Sequence, residues 1–224
     1  MQLRLRFNKT ILVPVGNIDL SGELIIPEDA SSLVLFSHGS GSSRFSPRNN
    51  FVASELHKQN IGTFLFDLLT KEEDEVYANR FNIQLLTDRL IQVTKYISSL
   101  PQFDDLDIGY FGASTGAASA LKAAAVLPDI VHSIVSRGGR PDLAMDVATK
   151  IRVPTLLIVG GADYDVLEMN RKVFKVLRCE KKLEIVRTAT HLFEEPGTLE
   201  EVASLAAGWF KKYLKNAEKE LAQV

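Results

Sequence analysis

Short runs of β-branched, aliphatic and aromatic residues recur along the chain, each closing on Gly, Ser or Asp and each followed by a longer stretch with helical spacing. The runs are Leu33 to Phe36, Thr63 to Phe66, Asp107 to Phe111, His132 to Val135, Thr155 to Val159 and Leu183 to Val186. Most are nearly continuous in apolar residues, the pattern of strands covered on both faces. The stretches between them predict helices over Pro47 to Gln59, Asn79 to Leu100, Thr115 to Leu127, Pro141 to Lys150, Val166 to Leu177 and Leu199 to Leu214. Alternation of this kind predicts a doubly wound α/β domain with a mostly parallel sheet. The N-terminal part differs: Leu3 to Val15 and Ile18 to Ile26, broken at Gly16 and Asn17 and closed by Pro27, read as an antiparallel hairpin extending one sheet edge.

No internal repeat, linker or composition shift divides the 224 residues, so a single domain over 1–224 is expected. A domain of that size buries enough surface to fold without a disulfide or a structural metal. The acidic stretch Lys71 to Glu75 reads as a solvated helix start, and Lys211 to Glu218 as an exposed helix face. With 26 Lys+Arg against 28 Asp+Glu the formal charge is −2, which gives no field to attract phosphate backbones or anionic lipids. Nucleic acid and membrane are therefore not expected partners. Met1 to Thr10 lacks the apolar block of a signal peptide, and no apolar run reaches membrane-spanning length. The lone cysteine, Cys179, fits a reducing, cytoplasmic compartment.

Candidate chemistry centres on Gly112-Ala113-Ser114-Thr115-Gly116, a G-x-S-x-G placed between a predicted strand and a predicted helix. A strand that turns at once into a helix lifts the serine hydroxyl clear of the sheet, with glycines where side chains would clash, and sets it at a helix N-terminus. Elsewhere such a motif is only a small-residue turn; the flanking elements favour a nucleophile. A serine needs a base, and the chain has four histidines. His57 lies among polar residues of a predicted helix and reads as a surface residue. His132 opens a strand at the edge away from Ser114, and His38 sits in a glycine-rich loop that it is expected to brace. His191, just past the last strand and at the same sheet edge as Ser114, remains.

A carboxylate should orient that imidazole, and Asp163 follows the strand Thr155 to Val159 at this edge. Asp165 competes for the role; Asp163 is preferred as the acid and Asp165 as a helix cap. The loop Ser37 to Arg44 suits an oxyanion hole, with the amides of Ser40 and Thr115 as donors. The phosphate-loop spacings G-x-x-x-x-G-K-[ST] and G-x-G-x-x-G are absent. His38, Gly39, Leu68, Arg137 and Arg140 are possible pocket residues, and the two arginines either meet substrate or pair with neighbouring acids. The interval between Val135 and Thr155 is too short for a large helical cap, so an open site is expected.

The hairpin ending Leu24-Ile25-Ile26-Pro27, the His38-Gly39 loop, the Gly112 to Gly116 elbow, Asp163 and His191 together resemble the α/β-hydrolase superfamily, and within it the small, cap-less dienelactone hydrolase-like branch. The resemblance implies a Ser, Asp, His hydrolase that acts on small-molecule esters or lactones without metal or organic cofactor. Dienelactone hydrolases proper use cysteine where this chain has Ser114, so their substrate does not carry over. The loop Arg137 to Ala144 also resembles a hydrolase domain found joined to phosphoribosyltransferase domains. Acyl or thioester transfer, peptide cleavage by the same residues, and a non-catalytic binding module are the competing expectations.

Overall fold

A computed structural model describes residues 3–214. Its eight strands are β1 (Leu5–Val15), β2 (Ile18–Pro27), β3 (Ser32–Ser37), β4 (Gly62–Phe66), β5 (Asp107–Ala113), β6 (Val131–Arg137), β7 (Thr155–Gly160) and β8 (Lys181–Val186). They form one sheet in the order β1-β2-β4-β3-β5-β6-β7-β8. β3 to β8 run parallel, while the hairpin β1-β2 joins antiparallel through β4. β3, β4 and β7 are buried along their whole length, in keeping with their apolar composition, whereas the outer strand β1 is mostly exposed.

Helices cover both faces. On one side α1 (Pro47–His57) packs against α6 (Thr198–Tyr213) over a core that includes Phe36, Phe111, Phe193 and Phe210. On the other lie α3 (Ile83–Ser98), α4 (Thr115–Val126) and α5 (Tyr164–Val176), over a larger core containing Leu35, Phe64, Tyr110 and Leu121. A one-turn helix, α2 (Lys71–Glu75), opens with a reciprocal cap: Glu73 N donates to Thr70 Oγ1 and Thr70 N to the Glu73 carboxylate. Among the described residues no helix is long and apolar enough to cross a membrane.

Three stretches depart from the sequence expectation. The predicted helix over Asn79 to Leu100 begins only at Ile83, where Asn82 caps the backbone N–H of Leu85; Tyr77–Phe81 before it is a 3-10 turn. Pro141–Lys150 is a kinked pair of 3-10 turns with a break at Ala144, not an α-helix. The segment packs against both α4 and α5, and its apolar residues have spacing that either helix type can bury, so the pattern alone does not tell them apart. His57 is buried rather than superficial, because α1 turns that side chain onto β4, where Nε2 shares a 2.7 Å hydrogen bond with Thr63 Oγ1. Burial pushes the His57 imidazole down to about 4. Lys211 and Lys212 are exposed on the last turn of α6, while the remainder of the Lys211 to Glu218 stretch past Leu214 lies outside the described residues.

Candidate active site

The strand order reverses direction between β3 and β5, and ligands of such sheets bind where the carboxyl ends of the strands part. Two loops leave the sheet there. The first follows β5 straight into α4, with Ser114 at the junction in a left-handed conformation, φ 51° and ψ −122°. For a residue with a Cβ this conformation costs about 1–3 kcal/mol and persists only where its surroundings enforce it. Here they do: Ser114 N–H donates to Arg137 O at 3.2 Å, and Arg140 N–H donates to Ser114 O at 3.0 Å.

The second loop follows β3 and crosses directly over the start of α4. Gly116 makes the crossing possible, since a Cβ there would run into the carbonyl oxygens of Ser37 and His38. A Cβ on Gly39 would come within 3.0 Å of Ser114 Cβ, so a bare backbone is also needed beside Ser114. Ser37 Oγ and Ser119 Oγ, 2.7 Å apart and buried, fasten the loop to α4 from below. His38 braces it from the side: Nδ1 donates to Gly39 O at 3.0 Å and Nε2 accepts from Leu68 N–H at 3.1 Å. Desolvation lowers the His38 pKa, which keeps Nε2 available as an acceptor.

Asp163 ends the loop after β7 and His191 sits in the loop after β8. The two loops are sewn together by Gly161 N–H to Val186 O at 2.8 Å and Ala162 N–H to Ala189 O at 3.0 Å. His191 Nδ1 donates to Asp163 Oδ2 at 2.7 Å. The Asp163 side chain is 14% exposed and that of His191 38%, so the carboxylate is sheltered while the imidazole meets solvent. Asp163 itself holds the N-cap position of α5 but makes no capping bond, its carboxylate being committed to His191. Asp165 lies in the first turn of α5 and is not the cap, contrary to the sequence reading. Glu195 holds the histidine loop by accepting from Thr190 N and Oγ1.

Ser114, Asp163 and His191 line one open cleft of about 570 Å³, together with Ser40, Thr115 and Arg140. Asp165 also borders it, and its remaining wall is apolar, from Phe81, Leu143, Val166 and Met169. These four apolar side chains had no signal in the sequence, for each comes from a segment whose register onto the cleft depends on tertiary packing. Among the described residues no hydrogen bond reaches Ser114 Oγ. The Ser40 amide donates to Thr115 Oγ1 at 2.8 Å.

The other sequence candidates fall outside the cleft lining. Leu68 is fully buried in the larger core, and its contribution is the backbone N–H that His38 accepts. Arg137 points away, under the opposite helical layer; it donates to Asn49 Oδ1 at 3.2 Å and lies 5.8 Å from the Phe193 ring centre. No carboxylate pairs with it among the described residues, and burial lowers its pKa to about 10. Arg140 stays in the cleft but forms a two-point pair with Asp142, Nε to Oδ1 at 2.9 Å and Nη2 to Oδ2 at 2.8 Å.

A parallel sheet with an antiparallel hairpin at one edge, helices on both faces and a serine at a strained strand-to-helix turn defines the α/β-hydrolase fold. No family model matches the chain. Its structure is similar to that of a dienelactone hydrolase from Anabaena variabilis, with 48% identity, a TM-score of 0.91 and coverage of 93% of this chain and 99% of that one. The chain belongs to the dienelactone hydrolase family. The esterase Est1E from Butyrivibrio proteoclasticus shares the fold at 17% identity, with a TM-score of 0.75 over 91% of this chain and 98% of that one. In sequence, two Mycobacterium tuberculosis proteins named "Putative phosphoribosyl transferase" are 50% identical over 207 residues, 92% of this chain. This chain spans about half of their length, 47%.

Proposed function

We propose that the chain is a serine hydrolase that cleaves a small carboxylic ester or lactone through an acyl-enzyme on Ser114. The observation that carries this reading is the opening of the strained Ser114 turn into the same cleft as the His191–Asp163 pair. With Nδ1 of His191 donating to Asp163, Nε2 is the basic nitrogen. In the reaction Ser114 Oγ attacks the carbonyl carbon and its proton passes to Nε2, while the carbonyl oxygen takes the negative charge. The tetrahedral intermediate collapses, the leaving alcohol departs with the proton from Nε2, and water then releases the acid by the same two steps. Catalytic hydrogen bonds often tighten only once substrate is bound, which accommodates the unpartnered Ser114 hydroxyl.

The positive end of α4 and the two expected donors, at Ser40 and Thr115, border the place where the oxyanion forms. The apolar wall and the Arg140–Asp142 pair, which leaves Arg140 without free charge for a carboxylate, favour neutral acyl groups. Membership of the dienelactone hydrolase family supports hydrolysis over transfer, and Cys179 suits a cytoplasmic setting.

The test is turnover of p-nitrophenyl esters by wild type and Ser114→Ala, with labelling by a fluorophosphonate mapped by mass spectrometry. Wild type should turn over and be labelled at Ser114, and Ser114→Ala should lose activity by several orders of magnitude. Equal turnover in the variant refutes the assignment. A folded protein inert to every ester, acyl-CoA and peptide would favour a binding module instead.

A further inference from the structure

The donor geometry at the start of α4 differs from two backbone amides aimed at one point. Ser40 N–H is already committed: it donates to Thr115 Oγ1 at 2.8 Å. Thr115 is 4% exposed, and what it exposes borders the cleft beside Ser114 and His191. A hydroxyl accepts and donates at once, and the donating half of Thr115 Oγ1 has no acceptor among the described residues. A sheltered O–H without a protein acceptor, on the residue after Ser114 and at a helix N-terminus, is free to turn toward the cleft that Thr115 lines.

We infer that the Thr115 hydroxyl is itself an oxyanion donor and that Ser40 N–H acts one bond behind it, as a relay. The inference rests on the serine-hydrolase reading above. When Ser114 Oγ bonds to the carbonyl carbon, the oxygen that gains charge accepts from Thr115 N–H and from Thr115 Oγ1–H. Ser40 N–H, donating to the same Oγ1, polarises that O–H and strengthens it as charge develops. No bond to Ser40 has to break and no loop has to move, so the donors are preorganised. Thr115 is thereby a catalytic residue and not only a good helix starter. Loop glycines around Ser40 then have a second purpose: they let the amide reach a side chain across the gap between the β3 and β5 loops.

The rival arrangement makes the opposite prediction. If Ser40 N–H were a direct donor, Thr115 Oγ1 would be a competitor sitting on it, and removing the hydroxyl would free the amide. Thr115→Val keeps the shape and removes only the hydroxyl's hydrogen bonds; Thr115→Ser keeps the hydroxyl and removes only the methyl. With a neutral p-nitrophenyl ester, the relay predicts that Thr115→Val loses about 100- to 1000-fold in kcat with KM little changed, the cost of one oxyanion donor. Thr115→Ser should recover to within about fivefold of wild type. A folded Thr115→Val with kcat at or above wild type overturns the relay, as does a Thr115→Ser no better than Thr115→Val. Thr115→Ala, smaller and tolerated at a helix start, gives the same readout should the valine fail to fold. Ser114→Ala run in parallel separates the two ideas: an active Ser114→Ala sinks the hydrolase reading, whereas an inactive Ser114→Ala beside a fully active Thr115→Val sinks the relay alone.

Discussion

Replacing Asp163 with asparagine tests the assignment of the acid against its neighbour Asp165. In the native site Nδ1–H of His191 donates to Asp163 Oδ2 at 2.7 Å, which leaves Nε2 bare, the nitrogen that takes the Ser114 proton in the proposed mechanism. An asparagine of the same shape presents an amide that donates to Nδ1, so the imidazole proton moves to Nε2, the tautomer that cannot act as base. The negative charge that steadies the imidazolium is lost as well. Together these effects reduce kcat by about 10⁴-fold, which at 1.36 kcal/mol per decade is about 5.4 kcal/mol of transition-state stabilisation. Asp165 lies in the first turn of α5, where its charge favours the helix dipole, and borders the cleft without a hydrogen bond to His191. Asp165→Asn should therefore cost about 0.3–1 kcal/mol of stability and change kcat by less than about fivefold. Initial rates on p-nitrophenyl butyrate, with thermal melts to confirm folding, decide the matter. The reasoning fails if Asp163→Asn loses less than about tenfold in kcat, or if Asp165→Asn is the more damaging change.

Asp142→Asn breaks the two-point hold on Arg140 and should raise kcat/KM for an ester with a carboxylate in its acyl part by about three- to tenfold, leaving the butyrate ester unchanged; a panel of neutral and anionic esters reads this directly. Gly116→Ala drives a methyl into the Ser37 carbonyl and should destabilise by at least about 2 kcal/mol, whereas Gly208→Ala in the middle of α6, with open space around its Cβ, should stabilise by about 1 kcal/mol, both measured by urea unfolding. The buried His57 has its folded pKa near 4, below the unfolded value, so its contribution to stability is complete above the unfolded pKa and is lost as the pH falls toward 4. Across that window wild type should lose up to about 3 kcal/mol from this group, and His57→Gln should show a correspondingly flatter dependence of the urea midpoint on pH.

Patterns along the chain determine the layers of this protein and the strained strand-to-helix turn at Ser114. The apolar runs read as covered strands because a strand needs only its own composition to require two covered faces, and the hairpin follows from Gly16-Asn17 between two alternating segments. Ser114 is legible for the same reason: a strand, a G-x-S-x-G and a helix in direct succession leave the backbone one way to turn. His191 and Asp163 follow by position at one sheet edge, and the bond between them lies where that position puts it. Tertiary structure alone decides the rest. Whether His57 faces water or Thr63, whether Arg137 opens to the cleft or lies beneath Phe193, and whether Asp142 occupies Arg140 depend on which distant segment packs against each side chain. Ser40 N–H and Thr115 Oγ1 meet across two loops that the sequence holds far apart. Local patterning encodes what a residue's neighbours in the chain enforce; it carries no record of partners brought together only when the sheet closes over its helices.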